Sequence, residues 1–137
     1  MPWSLYDYVS VRGRNVILEW CQGLQKRDLI KLTEKIDKLE ENGHELCPGL
    51  AGPIHNSRHL YKIRVNGSVA VRLFLCKGPI NMESEYTFLL GAFEVDDELP
   101  GGTLETAESH RQNIIRDKSR RCTHERITSK SSEGFSR

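Results

Sequence analysis

Leu60-Tyr61-Lys62-Ile63-Arg64-Val65-Asn66-Gly67-Ser68-Val69-Ala70-Val71-Arg72-Leu73-Phe74-Leu75-Cys76 is the stretch on which the reading of this chain turns. Leu60–Val65 and Val69–Cys76 alternate with the period of a strand, and Asn66-Gly67-Ser68 between them is turn chemistry, so the pair predicts a β-hairpin. Side chains two apart on a strand share a face. Lys62 and Arg64 therefore lie together, with Tyr61, Ile63 and Val65 opposite. The register decides where Arg72 falls. A two-residue Asn66-Gly67 loop pairs Val65 with Ser68 and Lys62 with Val71, which leaves both faces mixed. A three-residue loop pairs Val65 with Val69, Ile63 with Val71 and Lys62 with Arg72, which collects Val69, Val71, Leu73 and Leu75 with the apolar set of the first strand. A slip of one residue would turn a whole apolar set into water, so the three-residue form with a glycine-assisted bulge is expected. Lys62, Arg64 and Arg72 then converge on one face.

Like charges across a hairpin repel. Their neutralisation must come from acids elsewhere, such as Glu94 or Asp96 on a neighbouring strand, or from an external polyanion. The chain as a whole carries a formal net charge of +1, but the charges are segregated. From Leu46 to Met82 there is no acid, while Arg58, Lys62, Arg64, Arg72 and Lys77 are all basic. From Gly78 to His110 the bias reverses, with Glu83, Glu85, Glu94, Asp96, Asp97, Glu98, Glu105 and Glu108 and no Lys or Arg. Such segregation permits a basic surface able to hold phosphates on a nearly neutral protein.

Working outward, Tyr6–Arg12 alternates loosely as a first strand that leaves through Gly13-Arg14-Asn15. Asn15 can cap a short helix running to Gln22. Leu29, Leu32, Ile36 and Leu39 then recur at helical spacing, with Asp28 as N-cap and Gly43 as terminator. The outer face of that helix, with Lys31, Glu34, Lys35 and Lys38, is salt-laced and needs no function. Tyr86–Phe93 is apolar on both faces and reads as a central strand. Thr103 can cap a last helix to about Arg116, with Leu104, Ala107, Ile114 and Ile115 inward. From Asp117 the chain is polar and basic and reads as a mobile tail. The expected architecture is one α+β domain over residues 1–116 with a tail over 117–137. A small, mostly antiparallel sheet packs against the N-terminal helices, and a C-terminal helix follows, with the helices gathered on one face.

At 137 residues the chain suits a single domain, and 37% hydrophobic with 28% charged residues is ordinary for a globular one. No apolar run is long enough to cross a bilayer and no secretory leader is evident, so a cytoplasmic protein with no membrane partner is expected. Cys21, Cys47, Cys76 and Cys122 are scattered, which fits reduced thiols, with Cys21 and Cys76 in the core. His44-x-x-Cys47 and His55-x-x-x-His59 are weak as metal spacings, so no metal and no cofactor is expected. Cys47 has no evident activating partner, and the glycines lack the strand-to-helix setting of a phosphate loop. Tyr61 and Tyr86 read as core aromatics.

Leu60-Tyr61-Lys62-Ile63-Arg64, then Val71-Arg72-Leu73-Phe74-Leu75, then an apolar strand and a terminal helix, resembles the RelE/ParE toxin superfamily, most nearly its phage-derived, HigB-like branch. The likeness covers roughly Asp7–Ile115 as an order of elements and is specific in the hairpin. It implies a RelE-like fold and the toxin half of a toxin–antitoxin pair. Such a protein enters the ribosome and cuts mRNA by attack of a ribose 2′-hydroxyl on the adjacent phosphate, with a cognate antitoxin as partner. That chemistry needs a base, positive charge for the phosphorane and an acid for the leaving oxygen. The resemblance assigns Arg64 and Arg72 to charge stabilisation and Lys62 to general base or phosphate ligand. Arg58 and Lys77 are the expected RNA contacts. The chain departs from the family at Phe93-Glu94-Val95-Asp96-Asp97-Glu98, where many relatives carry a basic pair. The acid or base then falls to Glu94, Asp96, His59 or His55, or activity is weakened or lost. The alternative is a non-catalytic binder on the same fold, directed at an enzyme of the topoisomerase kind or at its antitoxin alone.

Overall fold

The computed structural model of the chain describes residues 3–42, 52–54, 57–67 and 69–126. The hairpin is present as β3, Leu60–Asn66, and β4, Ala70–Lys77. Its register is Asn66↔Ala70, Val65↔Val71, Arg64↔Arg72 and Lys62↔Phe74, two residues displaced from the expected pairing. A shift of two preserves every face, so Ile63, Val65, Val71, Leu73 and Leu75 still meet in one core. The apex moves because Gly67 is the first loop residue and carries the carboxylate of Asp28 directly on its backbone. A Cβ at Gly67 would lie 2.1 Å from Asp28 Oδ1. Val69 consequently leaves the ladder and is exposed.

Around this hairpin stand β1 (Ser4–Tyr8), α1 (Val16–Gln22), α2 (Lys26–Asn42), a two-residue β2 (Gly52–Pro53), β5 (Glu85–Glu94), α3 (Thr103–Arg116) and β6 (Arg121–Thr123). The strands form one six-stranded sheet in the order β2-β3-β4-β5-β1-β6, antiparallel except for the β1–β5 pair. The class is α+β. β5 is interior, as its two apolar faces require. Asn15 caps α1 by accepting from the Leu18 N–H at 2.9 Å. Asp28 is not a cap: α2 starts at Lys26, and Asp28 is buried in its first turn. α3 spans the expected residues, but its N-cap position is Gly102, and the Thr103 hydroxyl donates to the Pro100 carbonyl instead. Ile115 is exposed rather than inward.

The helices do not share a face. α1 and α2 cover one side of the sheet over Ile17, Cys21, Leu29, Leu32, Ile36 and Leu39. α3 covers the other, where Phe74, Cys76, Leu89 and Ala92 meet Ala107 and Ile114. Phe74 and Cys76 lie on the cation-bearing face of β4, and apolar side chains there need their own cover. A bulge makes both covers possible. The partner on β5 jumps from Leu90 at Phe74 to Phe88 at Leu75, so Leu89 is extra and the phase of the strand reverses. Tyr86 and Phe88 face α1 and α2, while Leu90 and Ala92 face α3. Gly91 then comes under Trp20, whose ring would lie 2.0 Å from a Cβ placed there.

The segment read as a tail is, at least through Arg126, part of the fold. β6 pairs with β1, with Asp7 opposite Cys122. Asp7 is fully buried and its carboxylate accepts from Asn15 Nδ2 at 2.9 Å and from the Glu125 N–H at 3.0 Å, with His124 Nδ1 at 2.7 Å. Arg121 ion-pairs with Glu85 and lies over the Tyr6 ring at 3.8 Å. These buried bonds hold in place a polar segment that hydrophobicity alone would leave loose.

Candidate functional site

Three basic side chains on one face follow from the strand pairing. Arg64 is directly opposite Arg72, and Lys62 is diagonal to it, on the side of the sheet that α3 covers. α3 packs on β5 and reaches β4, and among the described residues β3 lies at the open margin of that face. Arg64 is exposed and Lys62 half-buried. Among the described residues neither side chain meets a carboxylate.

Arg72 is different. It is 5% exposed, and its guanidinium points along the sheet toward the turn, across Ala70. The register partners of Ala70 are Asn66 and Glu94, and Arg72 bonds the side chains of both. It donates to Glu94 Oε1 at 2.7 Å, to Asn66 Oδ1 at 3.1 Å and to the Val71 carbonyl at 2.8 Å. The small Ala70 side chain gives the guanidinium room to lie there. Glu94 thus supplies the neutralisation that two facing arginines require. Arg72 is a clamp joining three strands, and the Glu94 carboxylate is committed to it.

Asp96 has a separate explanation. Asp96 and Asp97 have φ of 54° and 63°, and Val95 and Glu98 exchange backbone hydrogen bonds around them. Both central residues at positive φ make a type I′ turn, where Asp is among the few side chains tolerated. The acidic end of β5 therefore comprises one ion-pair partner and one tight turn.

Lys35, on α2, joins the basic group although its helix looked merely solvated. Its ammonium donates to the Arg64 carbonyl. Burial pushes its pKa below the ordinary lysine value, and Arg64, Arg72 and Lys38 push it further down. The signal was present in the spacing. Lys35 is three residues after Leu32 and four before Leu39, on the border of the buried stripe.

At the opposite end of the hairpin Arg58, His59, Tyr61, Lys77, Met82 and Arg111 line a cavity of about 50 Å³. Lys77 Nζ lies 5.9 Å from the Tyr61 ring centroid, and Arg111 Nε is 3.3 Å from Glu108 Oε1. His59 is exposed and belongs to this cavity, at the far end of β3 from Arg64. His55, His44 and Cys47 lie outside the described residues. Among the described residues no group of three His, Cys, Asp or Glu is arranged to hold a metal, and no helix is long and apolar enough to cross a membrane. Cys21 and Cys76 are buried, and burial pushes both thiols up to about 12.

Compared with family models, with curated proteins and with solved structures, the chain matches none of them.

Proposed function

We propose that the chain is a RelE/ParE-type toxin with a RelE-like fold that engages mRNA on the ribosome through the open margin of β3 and is restrained in the cytoplasm by a cognate antitoxin. The observation that carries this reading is the pair Lys62 and Arg64, two cations on one face with no carboxylate against either among the described residues. A cationic margin of this kind is what a phosphate backbone seeks. In the cleavage step the ribose 2′-oxygen attacks the adjacent phosphorus as its proton passes to a base, the role this reading gives to Lys62. Arg64 faces the charge that builds on the phosphorane. The bond to the 5′-oxygen breaks and that oxygen takes a proton. Arg72 contributes its charge to this step only by exchanging Glu94 for the substrate phosphate.

A second reading, a non-catalytic binder of an enzyme or of its antitoxin on the same fold, is favoured by that same Arg72–Glu94 pair. A buried guanidinium already neutralised at 2.7 Å has little charge to lend to a transition state. Induced expression with mapping of mRNA 5′ ends separates the two. Under the first reading growth stops, new 5′ ends appear within coding regions, and Arg64→Ala abolishes both. Growth arrest with intact mRNA selects the second reading. No arrest, and no change in mRNA when antitoxin is withdrawn, sinks the toxin assignment altogether.

A further inference from the structure

We propose that the cavity at the Lys77 end of the hairpin is a second phosphate subsite, which takes a phosphodiester of the same RNA strand several nucleotides from the one at Arg64. This rests on the RNA-engaging function proposed for β3 and adds a site to it. Arg58 arrives from the loop before β3, Lys77 from the end of β4 and Arg111 from α3, and all three line one concavity with His59. Among the described residues one carboxylate pairs with these three permanent cations, Glu108, which is 3.3 Å from Arg111. The Arg111 side chain is 11% exposed, so its charge is held at the cavity rather than waving in solvent. The volume of about 50 Å³ exceeds the room one water needs. Tyr61 and His59 set rings beside these charges, and cations interleaved with aromatic faces are the composition of single-strand nucleic-acid channels.

The cavity lies beyond the start of β3, where Tyr61 and Lys77 come from the face opposite Lys62 and Arg64 and Arg111 comes from α3, so an RNA strand reaches it by rounding the end of the hairpin. Lys62 and Arg64 occupy alternate positions of β3, and Arg58 precedes the strand by two residues, four before Lys62. From Leu60 to Arg64 alone, four residues of extended strand span about 13 Å, and Arg58 lies beyond that end. One phosphate cannot touch both ends, and a strand of several nucleotides can. Cations at both ends of β3, with the Tyr61 and His59 rings beside one group, favour RNA over an acidic peptide, which would need its carboxylates at matching intervals.

The test uses the full chain without ribosomes and a fluorescent single-stranded RNA of twelve nucleotides, 2′-O-methylated so that no cleavage can occur. Anisotropy titrations at several salt concentrations give affinity and its salt slope. For Lys77→Gln with Arg111→Gln the expected result is weaker binding of the twelve-mer and a salt slope shallower by about 0.7 for each phosphate no longer neutralised. A trinucleotide, too short to span the two sites, should be weakened more by Arg64→Gln than by the cavity pair. Arg58→Gln, on an exposed side chain, and the charge-preserving Arg111→Lys keep the test intact should Arg111→Gln not fold. If the cavity variants bind the twelve-mer with wild-type affinity and slope while Arg64→Gln weakens it, the subsite is refuted and the role of β3 stands. If Lys62→Gln and Arg64→Gln also leave binding unchanged, RNA engagement by this face has itself failed. Loss of binding to a glutamate-rich peptide with RNA binding intact assigns the cavity to a protein partner and overturns the proposal.

Discussion

Replacing Glu94 with alanine leaves the Arg72 guanidinium inside the sheet without its counter-charge. The two side chains are 6% and 16% exposed and 2.7 Å apart, so the pair is largely desolvated. Removing one partner of a buried pair costs about 3–5 kcal/mol. Arg72 keeps the Asn66 side chain and the Val71 carbonyl as acceptors, and the Glu94 site is partly wet, so the lower end of that range applies, about 3 kcal/mol. Glu94→Gln keeps an oxygen to accept the bond and should cost about 1–2 kcal/mol. Arg72→Met combined with Glu94→Met should cost less than the sum of the singles by at least about 1 kcal/mol. Urea unfolding measures each of these proteins, with an unchanged slope as the sign that only stability moved. A loss below about 0.5 kcal/mol for Glu94→Ala, with additive singles, would show the pair to be loose. Arg72 would then be available to substrate, and its role as a clamp would be refuted.

Asp7→Ala leaves Asn15, His124 and the Glu125 N–H facing an empty, dry site, and should cost about 3 kcal/mol. Faster tryptic cleavage after Arg120 and Arg121 is the local readout, since the bonds removed hold β6 to β1. Gly91→Ala forces a methyl into the Trp20 ring, an overpacking expected to cost about 1–3 kcal/mol and to change tryptophan fluorescence; a neutral outcome would mean that α1 slides freely over β5. His110 stacks on Tyr8 at 3.9 Å and meets the Leu89 carbonyl at 2.8 Å. Burial, with a smaller push from Arg120, lowers its pKa below the ordinary 6.5, against the carbonyl, which raises it. The unfolded chain therefore binds this proton more readily than the folded one. Its contribution to stability is complete above pH 6.5 and is lost as the pH falls through the lower folded value. The melting temperature of His110→Phe should vary less over that interval than wild type, and an equal pH dependence would contradict the assignment.

The elements were legible because each is written in its own periodicity. The Asn15 cap, the stripe Leu29–Leu32–Ile36–Leu39, the span of α3 and the two hairpin strands are local patterns, set by steric and hydrogen-bonding rules that act within a few residues. The same alternation placed Lys62, Arg64 and Arg72 on one face, and it tolerated a two-residue error in register because faces repeat every two residues.

What alternation cannot state is which element arrives to cover a face. That α3 lies opposite α1 and α2, that residues 121–123 add a strand, and that Arg111 and Lys77 line one cavity all depend on contacts between distant segments. The choice of Glu94 as partner of Arg72, 22 residues away, is of the same kind. It hinges on Ala70 leaving room and on a bulge at Leu89 resetting the phase of β5. Local sequence determined which side chains could act together. Packing, which decides burial and so the strength of every charge, determined which of them remained uncommitted.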